Sequence, residues 1–241
     1  MEKVVALLRV ADHDENWCQR QRGPVAEAIL ALGVAGLAVN VRDAAVTHSM
    51  MTLTTLDPPG AAVVSIWTQQ CYGEQIGEAL RLLAAECDQL AAYLVTESNP
   101  LLAPLELGRR TTGLANIALL RRPPELDYDS WLRRWQHDHT PVAIETQSTF
   151  GYTQNAVVRA LTPDAPRLAG IVEELFPIEA IADLKAFFGA ADDADLQQRL
   201  SRMVASTTAF GANANIDTIP TSRYVLTTPF HTRGDAGDTA N

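Results

Sequence analysis

The tetrapeptide Ala-Leu-Leu-Arg occurs at Ala6–Arg9 and again at Ala118–Arg121, each near the start of one half of the chain. Further landmarks follow in the same order. Arg22-Gly23-Pro24-Val25-Ala26 is matched by His139-Thr140-Pro141-Val142-Ala143. Gly36-Leu37-Ala38-Val39-Asn40 is matched by Gly151-Tyr152-Thr153-Gln154-Asn155. Val64-Ser65-Ile66-Trp67 is set against Glu173-Glu174-Leu175-Phe176, and Tyr93-Leu94-Val95-Thr96 against Tyr224-Val225-Leu226-Thr227. Matches in register at this spacing point to a duplicated unit, which limits the fold to one that a sequence can build twice.

Hydrophobic periodicity fills in the unit. In the first half, strand patterns cover Lys3–Val10, Ala35–Arg42, Ala61–Thr68 and Leu90–Thr96, and helical patterns cover Asp14–Leu32 and Gly73–Cys87. Asp12 or Asp14 caps the first helix, Gly33 ends it, and Pro24 predicts a kink or break inside it. The second half repeats the order. Strands fall at Gly113–Arg122, Thr149–Leu161, Ala169–Phe176 and Thr221–Thr227, and helices over Asp127–Gln147, Ile178–Gly189 and Asp192–Ala209, with the same proline conflict at Pro141.

β-α-β-β-α-β twice over is an α+β chain of two tandem ferredoxin-like units. The expected division is 1–100, a linker 101–112, a second unit 113–230, and a loose Gly/Asp/Thr-rich tail over 231–241. The strands are apolar on both faces, as in Val4-Val5-Ala6-Leu7-Leu8, so the face away from the helices must also be covered. Two units packed sheet to sheet as an α+β barrel, enclosing a pocket, meet that need. Pairing of each sheet with a second copy, as in a homodimer, is the alternative.

The chain has 241 residues, 47% of them apolar, and a net charge of −10. That charge opposes a phosphate-neutralising nucleic-acid surface and an anionic membrane surface. No apolar run approaches the roughly 20 residues that cross a bilayer. The first ten residues read as a strand rather than a secretory leader, which gives a cytoplasmic expectation. Cys18, Cys71 and Cys87 fit no zinc or redox spacing and read as reduced, inert thiols.

Polar residues that could carry chemistry concentrate in the second half. Trp131, Trp135 and His139 at i, i+4, i+8 share one helix face, and His137 points elsewhere. Packing against an indole would lower the His139 pKa and leave a neutral imidazole able to accept a proton. On the second strand Tyr152 and Gln154 share one face and Thr153 and Asn155 the other. Glu173 and Glu174 must point to opposite faces, so at least one carboxylate is buried, and Arg121 or Arg159 could pair with it. Cys18, Arg22, Leu37 and Ser65 stand where Trp135, His139, Tyr152 and Glu174 stand, which argues for one site, in the second half.

The segment Trp135-Gln136-His137-Asp138-His139-Thr140-Pro141, followed by Tyr152 and Glu173-Glu174-Leu175-Phe176, resembles the EthD family of the dimeric α+β barrel superfamily. The resemblance implies an enzyme on a hydrophobic aromatic or lactone-like small molecule, acting by elimination, isomerisation or decarboxylation without metal or organic cofactor. His139 would be the base, Tyr152 and Asn155 would hold the developing oxyanion, and Glu174 or Glu173 would orient the base or act as the second acid/base. Trp135 would be an apolar wall, with Gln154 and Asn155 among the substrate-binding residues. The superfamily also holds monooxygenases and haem-dependent dehydratases, in which His139 would activate substrate or ligate haem. A non-catalytic small-molecule-binding accessory protein is the third reading.

Overall fold

A computed structural model describes residues 1–230, and the tail expected over 231–241 lies outside the described residues. The first half runs β1 (Glu2–Arg9), α1 (Glu15–Arg20), α2 (Ala26–Ala31), β2 (Gly36–Val41), β3 (Gly60–Thr68), α3 (Glu74–Ala84) and β4 (Gln89–Leu101). The second runs β5 (Leu114–Leu120), α4 (Tyr128–Arg133), α5 (Thr140–Thr146), β6 (Gly151–Ala160), β7 (Gly170–Phe176), α6 (Leu184–Phe188), α7 (Asp193–Phe210) and β8 (Asp217–Thr227). No described helix is long and apolar enough to cross a membrane.

Both predicted proline conflicts are resolved in the same way. A π-helical stretch, Gln21–Val25, joins α1 to α2, and Gly23 leaves helical geometry beside Pro24. A second, Arg134–His139, joins α4 to α5, whose second residue is Pro141. A wider turn removes the hydrogen bond that proline cannot donate, so the helix continues past it. Asp14 is the cap of α1 and accepts from the Trp17 N–H, while Asp127 caps α4 from Ser130.

The eight strands form one closed antiparallel barrel in the order β1-β3-β2-β8-β5-β7-β6-β4. Within each half the first strand lies between the third and fourth, and the second lies outside the third. The halves are joined at β2–β8 and β4–β6. In place of two sheets packed face to face, all eight strands are hydrogen-bonded into one sheet closed around a shared interior. Closure leaves no unpaired strand edge.

Alternation sends each strand's side chains two ways. Val4, Ala6 and Leu8 pack outward with Trp17, Ile29, Ile76 and Leu83 under the first-half helices. Val5 and Leu7 point inward and meet Tyr93, Ile117, Leu119, Ile171 and Ile219. That inner cluster fills one end of the barrel. The outer face of the second half carries Trp131, Trp135, Tyr152, Val172 and Phe210.

The pairing register corrects two of the expected equivalences. Ala6 faces Val64 and Ala118 faces Val172, so Ser65 corresponds to Glu173 and Ile66 to Glu174. Val5 faces Tyr93 and Ile117 faces Ile219, so Tyr93 corresponds to Ile219, not to Tyr224. The matches of Leu37 with Tyr152 and Asn40 with Asn155 hold, because Leu37 faces Ile66 and Tyr152 faces Glu174. β8 also begins at Asp217, earlier than expected. Pro220 lies inside it and reads in sequence as a strand breaker.

Candidate functional site

The helical segment α4–α5 lies over the outer face of the second-half strands, with α7 packed against its π-helical joint and α5. Trp131 and Trp135 stack with centroids 5.0 Å apart, as their spacing predicts. The outer edge of the Trp135 ring approaches β7 closely because residue 170 is glycine. A Cβ there would sit 2.6 Å from the Trp135 ring.

His139 closes the π-helical stretch and points into this helix layer, not into the barrel. Its neighbour is Phe210 of α7, 4.8 Å between centroids, in place of the expected indole. Its Nδ1 lies 2.9 Å from the Ser206 hydroxyl. Burial lowers its pKa to about 4, so the imidazole is neutral at pH 7. His137, two residues earlier, is exposed.

Thr140 ties His139's chain to β6. Its hydroxyl donates to the Trp135 carbonyl at 3.2 Å and accepts from Gln154 Nε2 at 2.7 Å. Tyr152, on the same face of β6, is 2% exposed, with Trp135, Thr140 and Gln154 around it. Burial, and then the Glu174 carboxylate, push its phenol pKa up, so the hydroxyl stays protonated.

Glu174 sits on β7 directly opposite Tyr152 on one side and Asn116 of β5 on the other. Burial raises its pKa to about 7, and the adjacent Asn116 amide offsets part of that rise. Among the described residues no ion pair relieves it: Arg121 is committed to Asp217 at 2.6 Å, and Arg159 contacts Cys71 Sγ at 3.6 Å. Among the described residues, the buried Trp131 and Trp135 indole N–H groups and Asn116 Oδ1 have no hydrogen-bond partner. Asn116 escaped the sequence reading, although a lone amide inside Leu114–Leu120, an otherwise apolar strand, is the signal that could have found it.

Two expected members lie on the other side of the sheet. Asn155 points into the barrel, where its amide donates to the Ile171 carbonyl at 3.1 Å. It cannot share an oxyanion with Tyr152, because an odd separation along a strand reverses the face. Glu173 also points inward, 2.7 Å from Arg223 and accepting from Asn40 Nδ2 at 3.0 Å. The site expected inside the barrel thus divides. Tyr152, Glu174, Trp135 and Gln154 gather between sheet and helices, His139 lies in the helix layer against Phe210 and Ser206, and Glu173 and Asn155 lie in the interior.

The first-half counterpart of this layer holds no such group. Arg22, in the position of His139, is paired with Glu15 at 2.5 Å and Asp43 at 3.5 Å. Cys18, in the position of Trp135, is buried, and its thiol pKa rises to about 11. Ile66 stands where Glu174 does.

The molecule is thus a closed α+β barrel with one polar layer under the helices of its second half. Residues 123–204 match the family model of the EthD domain, a stretch that includes Trp135–Pro141, Tyr152 and Glu173–Phe176. A solved structure of an anthrone oxidase-like protein superposes with a TM-score of 0.54 at 10% identity, over 95% of this chain and 95% of that one. Another, described as a "putative monooxygenase" from Lactobacillus acidophilus NCFM, gives 0.46 at 8% identity, over 95% and 96%. The first match shows a shared fold extending across both halves. No curated protein sequence matches the chain.

Proposed function

We propose that this chain is an EthD-type enzyme acting by general acid/base chemistry on a hydrophobic aromatic or lactone-like small molecule, in an elimination, isomerisation or decarboxylation, with no metal or organic cofactor. The observation that carries the reading is the opposed titration of two buried groups in one layer. His139 is held neutral, with a pKa of about 4, and Glu174 is held up to about 7. A neutral base, and an acid in the same layer that keeps its proton up to about pH 7, can take up and return a proton near neutral pH.

In this scheme His139 removes a proton next to a carbonyl or from a phenol. Glu174, protonated, returns one at the second position. The Tyr152 hydroxyl and the Asn116 amide donate to the oxygen on which charge develops. Trp135 and Phe210 form the apolar walls. Asn155, facing the barrel, has no part in it. Ser206 fixes the imidazole, and substrate enters by displacement of α7, which carries Ser206 and Phe210. We further infer that the two halves descend from one ferredoxin-like unit, a reading supported by their identical strand order and by equivalent joints at β2–β8 and β4–β6.

Deuterium exchange next to the carbonyl of 2-tetralone, followed by NMR in D2O, tests the chemistry. The parent protein should accelerate exchange, and His139→Ala should lower that rate by roughly 10²–10⁴-fold while folding is retained. Equal rates in the parent and a folded His139→Ala variant would remove the base from the mechanism.

A further inference from the structure

The end of the barrel opposite the apolar inner cluster opens into a cavity of about 1090 Å³. It lies mainly on the inward face of β6 and β7 and meets the helix layer only at its margin, at Leu101 and Tyr152. Small-molecule sites run from roughly 300 to 1,000 Å³, so the space suits a ligand of moderate size. Its floor is polar. Lys3 pairs with Glu97 at 3.3 Å, and Glu97 also accepts from the Trp67 indole N–H at 2.8 Å. Across the interior, Glu173 is held by Arg223 at 2.7 Å and by Asn40 at 3.0 Å. Lys3 lies 4.6 Å from the Trp67 ring centre. Apolar residues, among them Trp67, Leu101, Leu105, Leu175, Val225 and Phe230, make up much of the walls and rim, with Asn99, Thr153 and Thr228 between them.

Stability does not account for this floor. Taking four charges out of water costs about as much as their pairing returns, and apolar replacements of similar size commonly do as well. One donor is also unspent. Arg223 Nε is close to Glu173, but the contact lacks hydrogen-bond geometry, and Nη1 is buried without an acceptor among the described residues. Nη2 of the same cavity-lining guanidinium is neither sealed off like Nη1 nor hydrogen-bonded among the described residues, so that end is open to an acceptor oxygen. The two cations are matched by two carboxylates, so the floor is neutral overall and has no surplus charge to offset an anion.

We infer that the open end of the barrel is a second small-molecule site, taking an uncharged aromatic ketone or similar carbonyl compound. The carbonyl oxygen accepts from Arg223, and the ring lies between Trp67 and the Leu175–Val225 wall. This inference requires no particular chemistry in the helix layer.

Quenching of tryptophan fluorescence by 2-acetylnaphthalene measures the binding, with 2-ethylnaphthalene and 2-naphthoate as comparisons. The ketone should saturate one site and bind at least tenfold more tightly than either comparison. Ala38→Phe and Val225→Phe, which project bulk into the cavity from paired positions on β2 and β8, should each weaken it tenfold or more in protein that remains folded by circular dichroism. Arg223→Lys keeps the charge and loses the free fork, so it should abolish the preference for the ketone over 2-ethylnaphthalene. His139→Ala should leave affinity unchanged. Four results overturn the proposal: no saturable binding, undiminished binding in folded Ala38→Phe and Val225→Phe, tighter binding of naphthoate than of the ketone, or loss of binding in His139→Ala.

Discussion

A buried imidazole and a buried carboxylate respond to acid in opposite directions. The folded pKa of His139 is about 4 against an ordinary 6.5, so its contribution to stability is complete above pH 6.5 and disappears as pH falls toward 4. The folded pKa of Glu174 is about 7 against an ordinary 4.5, so its contribution is complete below pH 4.5 and disappears as pH rises toward 7. Each shift is worth about 3 kcal/mol, and between them the two largely cancel. Single variants should separate them. Relative to the parent, Glu174→Gln should gain about 3 kcal/mol between pH 4.5 and 7, and His139→Gln should gain about 3 kcal/mol as pH falls from 6.5 to 4. Urea unfolding across pH measures both, and differences from the parent that do not vary with pH would show that neither group is held as described. The same pair sets the activity profile. Turnover should fall below about pH 4 as His139 gains a proton and above about pH 7 as Glu174 loses one.

At the scale of elements, the helix layer depends on two local features. Gly170 lets the Trp135 ring rest on β7, so Gly170→Ala, with its Cβ 2.6 Å from that ring, should cost about 2 kcal/mol of stability and perturb tryptophan emission. The other is the light anchoring of α7, whose one fully buried residue is Phe210. Its amides should exchange with solvent faster than those of the wholly buried β5, as hydrogen exchange read by mass spectrometry would show. Equal protection of the two would count against entry through α7.

The elements were readable because apolar alternation and the Pro24 and Pro141 conflicts are local properties. Register was less so. In a strand that is apolar on both faces nothing local distinguishes inward from outward, and Glu173-Glu174 was matched one residue away from its true counterpart. For the same reason the layer occupied by His139 could not be read. That depends on which face of β6 and β7 the helices cover, a tertiary fact.

For the whole molecule, the decisive feature is that one chain supplies both halves of the barrel. Residues 113–230 alone would expose the edges of β6 and β8, which pair with β4 and β2 in the intact chain. They would also uncover the inward apolar residues Ile117, Leu119, Ile171 and Ile219. That fragment, purified separately, should therefore self-associate, and light scattering coupled to size exclusion should find a dimer or larger species. A stable monomer of native-like helix and strand content would show that barrel closure contributes little. The linker reinforces the closure. It runs beside β8, where Gly108 and Thr111 donate to the Val225 and Arg223 carbonyls, each at 2.8 Å.

β7 is a partition, and its adjacent carboxylates serve different compartments, Glu173 in the ion-paired floor and Glu174 under the helices. Inserting or deleting one residue between Gly170 and Glu173 would exchange the two, sending the titrating acid into the barrel and stranding the ion-pair partner beneath Trp135. A change of two would preserve the sides. The spacing in this strand is therefore subject to a parity rule. Relatives that keep both compartments should differ here by even numbers of residues, or carry a bulge that restores the count.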